Sequence, residues 1–276
     1  GLRFAFGWRP AEIRRLMVRA IPLVGSTVLG LVVFNADLFF LRLFRNAEMV
    51  GLYAAAYTAI SFLLNLGVTY SMSLLPPLTR LAGEPAQERQ LYLASFAKVF
   101  ALALPIAAGG AMLSRPLVVT LFGAPFAAAA PILAVLLGSM VISVVRDVSV
   151  VALMARKRED LLLHTVWASA GASIVLNILL VPSLGMMGAA LATVLTEFVR
   201  MLLAVGFAKR LGFPLPPVMR AWRPAVATGA MVGALQLLPF TSPWVAIPVG
   251  GACYALALIL TGGLRLSRAQ GIQLVV

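Results

Sequence analysis

The chain has 276 residues, 62% of them hydrophobic and only 11% charged, with a formal charge of +13 and a mean hydropathy of +1.01. Soluble domains carry roughly 25% charged and 45–50% apolar residues, so a water-soluble class is excluded and an all-α integral membrane bundle is expected. The basic residues sit between apolar runs, which makes them a signature of membrane topology and not of nucleic-acid binding.

Apolar runs of about 20 residues mark membrane helices. In chain order they fall at 20–41, 51–75, 91–113, 127–153, 161–181, 186–207, 223–239 and 244–264, which predicts about eight spans. The first 19 residues are basic and lack the apolar core and cleavage site of a signal peptide. The chain starts at Gly1, so it reads as a portion of a longer protein. Pro22, Pro105 and Pro131 lie within or at the start of spans, where proline bends a helix and frees a carbonyl. Small residues such as Gly188, Ala189, Ala190 and Ala192 permit close helix contact.

The connections separate by charge. Arg3, Arg9, Arg14, Arg15, Arg19, Arg80, Arg89, Arg156, Lys157, Arg158, Lys209, Arg210, Arg220, Arg223, Arg265 and Arg268 fall on one side of the eight-span arrangement. Only Arg42, Arg45 and Arg115 fall on the other, and Arg42 and Arg115 read as outer-interface residues. The positive-inside rule therefore places both ends in the cytoplasm. Tyr53, Trp167, Trp222 and Trp244 lie near span ends, as interfacial anchors do. His164 reads as interfacial and Cys253 as a packing residue; no metal-ligand cluster, phosphate loop or nucleophile motif is evident. No metal, cofactor or catalytic residue is therefore expected.

Six ionisable residues remain inside the runs: Asp37, Lys98, Arg146, Asp147, Glu197 and Arg200. Such groups are costly in lipid and face a bundle interior or a water-filled cavity. Glu197 falls near the midplane, and Arg200 one turn deeper on the same helix face. Arg146 and Asp147 occupy the cytoplasmic half of their span; as chain neighbours they point in different directions and do not form a self-contained pair. Lys98 lies about eight residues, roughly 10–12 Å, from the cytoplasmic end, and Asp37 in the outer half of the first span. The three cations thus line a cytoplasm-facing cavity for an anion, and guanidinium groups suit a diphosphate. Other readings stay open: Lys98 snorkels to the interface, Glu197 and Arg200 form a structural ion pair, or Asp37 caps a helix or bonds a neighbour.

Four stretches carry a resemblance. "NADLFFLRLFRNAEMVGLYAAAYTAISFLL", "SLLPPLTRL", "LFGAPFAAAAPILAVLLGS" and "NILLVPSLGMMGAALATVLTE" resemble, in this order, segments of the second half of polysaccharide and oligosaccharide flippases of the multidrug/oligosaccharidyl-lipid/polysaccharide exporter superfamily. The resemblance covers most of residues 15–210. It implies two six-span lobes around a cavity that alternates between membrane faces, of which only the second is present here. Residues 1–19 are then a cytoplasmic basic segment, 20–210 a six-helix lobe, and 211–276 two additional spans with a cytoplasmic tail. An N-terminal lobe of the same protein is the implied partner. Asp37 matches an acidic position in the family's opening span; Arg146 and Arg200 match by location only.

The implied function is movement of an undecaprenyl-diphosphate-linked oligosaccharide across a bacterial cytoplasmic membrane. The substrate-path residues are Arg146, Arg200, Glu197, Asp37, Asp147 and Lys98, with membrane lipids and the lipid-linked glycan as partners and no nucleic acid. Asp37 or Glu197 is the candidate to carry a coupling proton or ion. The rivals are a multidrug/cation antiporter or a lipid II flippase of the same superfamily, and a membrane enzyme acting on polyprenyl-linked glycans. The last needs reactive groups on a sizeable outer loop, and the longest such loop, near 114–126, holds only Arg115 as a charge.

Overall fold

The computed structural model describes residues 36–215, 222–237, 242–267 and 271–274, together with Arg14, Met17 and Ile21. The predicted basic segment and most of the first predicted span lie outside the described residues. The helices are α1 (Ala36–Phe44), α2 (Ala47–Ser73), α3 (Leu75–Arg80), α4 (Pro85–Met112), α5 (Ser114–Phe122), α6 (Ala130–Ala155), α7 (Glu159–Leu184), α8 (Met186–Arg210), α9 (Trp222–Leu237) and α10 (Pro243–Leu260). Short 3-10 turns at Leu81–Gly83 and Ala124–Ala129 precede α4 and α6. Two four-residue strands, Leu264–Ser267 and Gly271–Leu274, close the chain as an antiparallel hairpin.

The boundaries follow local chemistry. Asn46 caps α2 by accepting from the Met49 amide at 3.1 Å, one of the donors a helix start leaves unpaired. Prolines in the first turns of α3, α4, α6 and α10 sit where a missing N–H is harmless. The α7–α8 turn depends on glycine twice. Gly185 ends α7 at φ 57°, and a Cβ on Gly188 would lie 2.2 Å from the Leu180 carbonyl oxygen. No side chain fits there, so the two helices cross at backbone contact.

Six helical segments among the described residues are long and apolar enough to cross a membrane: 47–83, α4, 124–155, α7, α8 and α10. The chain is a multi-pass, all-α membrane bundle. The seventh predicted span appears as α9, whose 16 residues rise about 24 Å, short of the roughly 30 Å hydrocarbon core. The predicted outer loop at 114–126 is instead mostly helical, formed by α5 and the turn that follows it.

α6 is the central helix. Its best apolar window is 61% buried, against 22% for that of α8, and it packs against α2, α4, α7 and α8. α1 lies across α7 and α8, while α9 and α10 pair with one another and dock on α4. Gly188, Ala189, Ala190 and Ala192 are buried in α8, the close contact expected of small residues. Trp167, Trp222 and Trp244 are exposed, as anchors should be. Tyr53 is not an anchor: it is 1% exposed, with its hydroxyl bonded inside the bundle.

Candidate functional site

Two polar centres occupy this apolar bundle, one above the other along α8. The first is built on Asp37. This buried carboxylate accepts from Tyr53 of α2 at 2.9 Å, Thr193 of α8 at 2.5 Å and Asn177 of α7 at 2.8 Å. Four helices are thereby tied to one side chain. Asp37's partners among the described residues are all neutral. The Asn177 Oδ1 is buried and accepts no hydrogen bond among the described residues.

The second centre lies one turn along α8. Glu197 accepts from Arg146 of α6, from Ser143 at 3.1 Å and from Arg200 at 3.2 Å. Arg146 also donates through Nε and Nη2 to Asp147 Oδ1, at 3.0 and 2.7 Å. Arg146 and Asp147, expected to point in different directions, are bonded; the pair is still not self-contained, because Arg146 also reaches Glu197. Their Cα–Cβ bonds diverge, but the arginine stem is long enough to fold the guanidinium back onto the next residue. With two guanidinium groups and two carboxylates, the centre carries no net charge.

These residues border a cavity of about 160 Å³ between α2, α6 and α8, which Tyr57, Ser61, Asn65, Ser139 and Thr193 also line. Thr193 belongs to both centres, bonding Asp37 on one side and facing the cavity on the other. The two arginines differ. Arg146 is 11% exposed and spends Nε, Nη1 and Nη2 on carboxylates. Arg200 is 28% exposed and its buried Nε has no partner among the described residues. Arg200 therefore has spare donors for a ligand.

Of the six residues named from sequence, Arg146, Asp147, Glu197 and Arg200 come together. Asp37 joins them only through Thr193. Lys98 does not join them: it is exposed on α4 and does not line the cavity. Tyr53, Tyr57, Ser61, Asn65, Asn177 and Thr193 were not picked out from the sequence as site residues. Their signal was spacing, since Tyr53, Tyr57, Ser61 and Asn65 recur every fourth residue along α2.

A second cavity, of about 490 Å³, lies on the other side of α2 and α6 and is walled by α4, α5, α9 and α10. Its lining is almost wholly apolar, including Phe62, Leu102, Ile106, Leu137 and Ile247.

Residues 2–131 match the family model described as polysaccharide biosynthesis protein. No curated protein matches the sequence. Among solved structures, the fold is similar to one titled lipid II flippase MurJ, inward closed conformation, with a TM-score of 0.80 and 13% identity. The alignment covers 94% of this chain and 56% of that one, so this chain spans little more than half its length. The family match covers just under half of the chain, and the shared fold extends over nearly all of it.

Proposed function

We propose that this chain is one lobe of a flippase that carries an undecaprenyl-diphosphate-linked oligosaccharide from the cytoplasmic to the periplasmic leaflet of a bacterial inner membrane. The observation that carries the proposal is the Arg146–Glu197–Arg200 network beside a small polar cavity. Charges inside such a bundle point first to a functional site, and Arg200 keeps a donor in reserve for phosphate oxygens. The hydroxyl and amide groups of Ser61, Asn65 and Ser139 supply the neutral polar lining that a sugar needs. The chain's length relative to the similar flippase structure supports a second lobe that completes the cavity. The basic connections support cytoplasmic ends. Residues 20–210 are the lobe proper, and α9 and α10 wall the apolar cavity where a polyprenyl tail can rest.

No bond is broken in this reading, so the chain acts as a transporter and not as an enzyme. We assign coupling to Asp37 and not to Glu197, because Glu197 is held by two arginines while Asp37 has only neutral partners among the described residues. A buried carboxylate with neutral partners is a place where a proton or a cation can be taken up and released.

A second reading, transport of lipid II, is favoured by the fold likeness to the lipid II flippase; it needs the same diphosphate contacts. Export by the complete protein in cells lacking their own flippase tests both. Arg200→Ala is expected to abolish glycan export with the protein still in the membrane. Normal export by that variant sinks both readings. Rescue of polysaccharide but not of cell-wall synthesis decides between them.

A further inference from the structure

Glu197 occupies the position on Arg146 and Arg200 that an anionic ligand would take. Its two carboxylate oxygens collect three donors from two helices: the guanidinium groups of Arg146 and Arg200 and the Ser143 hydroxyl. Asp147 holds Arg146 by Nε and Nη2, away from the contact with Glu197. Arg146 can therefore release Glu197 through Nη1 alone and stay in place. On the other arginine, the buried Nε of Arg200 is already without a partner among the described residues.

We propose that Glu197 is a built-in counter-ion that an incoming lipid anion must displace, and that it thereby keeps the site closed to the singly charged phospholipids of the bilayer. This rests on the diphosphate reading above. The flanking chemistry sets the threshold. A phosphodiester headgroup brings one negative charge, so it replaces one carboxylate by another anion of equal charge. It gains nothing electrostatically, and it strands Glu197 in a low-dielectric cavity. A diphosphate brings at least two charges and oxygens on two phosphorus atoms. It can span both guanidinium groups at once and use the unpartnered Arg200 Nε as well. Bulk phospholipid outnumbers any lipid-linked glycan, so a bare arginine pair in contact with the membrane would be occupied by the wrong lipid. The internal carboxylate lowers the affinity for every anion, and only the more highly charged one still binds.

The test measures binding of undecaprenyl diphosphate to the complete protein reconstituted in vesicles of phosphatidylcholine, with and without phosphatidylglycerol. For the wild type, phosphatidylglycerol is expected to leave the affinity unchanged within about twofold. Glu197→Gln keeps the shape and removes the charge. It is expected to bind undecaprenyl diphosphate about tenfold or more tighter in phosphatidylcholine, since charge-assisted bonds no longer have to be exchanged. It is also expected to lose that gain when phosphatidylglycerol is present. A merely structural role for Glu197 would not create a new sensitivity to phosphatidylglycerol. A Glu197→Gln protein that matches the wild type in both vesicles overturns the counter-ion proposal alone. If Glu197→Gln does not fold, Ser143→Ala decides: it weakens the hold on Glu197 without changing charge and is expected to raise affinity several-fold. Unchanged affinity in that variant overturns the proposal. Equal binding of undecaprenyl diphosphate by wild type and Arg200→Ala overturns the diphosphate reading instead, whatever Glu197→Gln does.

Discussion

Arg146 of α6 and Glu197 of α8 join the central helix to its most extensive neighbour, and each keeps a second partner of opposite charge. The pair is thus the centre of a four-residue chain, Asp147–Arg146–Glu197–Arg200. The positions along that chain are not equivalent, and the inequality separates structure from transport.

Arg146 is the more buried arginine and neutralises two carboxylates. Arg146→Ala leaves Asp147 with no partner in the network and halves the pairing of Glu197. Breaking a buried pair in this way costs about 3–5 kcal/mol. Arg200→Ala leaves Glu197 still bonded to Arg146 and Ser143, so the cost is about 1–2 kcal/mol. Thermal unfolding of the purified variants is expected to rank Arg146→Ala well below Arg200→Ala, while both fail to export glycan. Equal melting temperatures would remove the distinction between a structural and a ligand-facing arginine.

Asp37 makes a different prediction. Its Oδ2 takes Tyr53 and Thr193, and its Oδ1 takes Asn177 Nδ2. Asparagine at position 37 would oppose one amide nitrogen to another. Turning the new amide over resolves this: its oxygen then accepts from Asn177, and its nitrogen faces the hydroxyls of Tyr53 and Thr193, which can accept as well as donate. Asp37→Asn is therefore expected to cost only about 1 kcal/mol, whereas Asp37→Ala removes the acceptor that three helices share and leaves only the Tyr53–Thr193, Thr193–Ala189 and Asn177–Ser173 contacts, at about 1–3 kcal/mol in all. Flux in vesicles, measured with and without an imposed proton or cation gradient, is expected to lose its gradient dependence in Asp37→Asn. A retained dependence in a folded Asp37→Asn protein removes Asp37 from the coupling role.

The long apolar helices and the central charges were legible because lipid imposes simple rules. Apolar length marks a span, and an ionisable residue inside one must be accommodated. Arg146 and Glu197 are buried together for that reason. Partner choice was less legible. Tyr53 reads as an interfacial aromatic by position, and only the arrangement of four helices turns its hydroxyl onto Asp37. Lys98 sits at the same apparent depth as a cavity residue, but it falls on the outward face of α4. Periodicity could have carried more of the site. Thr165, Ser169, Ser173 and Asn177 recur every fourth residue on α7, and all four are buried. In a lipid-facing helix, such a polar stripe marks the inner face as clearly as an apolar stripe does in water.

Where α4 begins and α6 ends, Glu88 opens α4 and receives Arg156 through two guanidinium nitrogens, Nε at 3.0 Å and Nη2. The guanidinium also lies 5.7 Å from the Phe213 ring centre, and Phe213 packs on Tyr92. Glu88 is 1% exposed and Arg156 30%, so the two ends of the pair have different escapes. Arg156→Ala strands a buried carboxylate and is expected to cost about 3–5 kcal/mol. Glu88→Gln leaves an arginine that can turn to water, at about 1–2 kcal/mol. Arg156→Lys recovers the charge but neither the fork nor the ring contact, and is expected to melt between the two. A Glu88→Gln variant that melts below Arg156→Ala would contradict the exposure argument.

The attachment of α10 to α4 rests on a proline. Pro105 lacks the N–H that would bond the Ala101 carbonyl four residues back, and Tyr254 of α10 donates to that carbonyl at 2.5 Å. Tyr254→Phe leaves the carbonyl without a partner, at about 1–3 kcal/mol. Pro105→Ala restores the helical N–H, which then competes with Tyr254 for the same oxygen. In that background the carbonyl is already satisfied, so Tyr254→Phe is expected to cost little. Melting the wild type, both single variants and the double variant closes the cycle, with an expected coupling of about 0.5–3 kcal/mol. Strict additivity would mean that Tyr254 holds α10 by packing, and that the freed carbonyl has no part in docking the last helix pair.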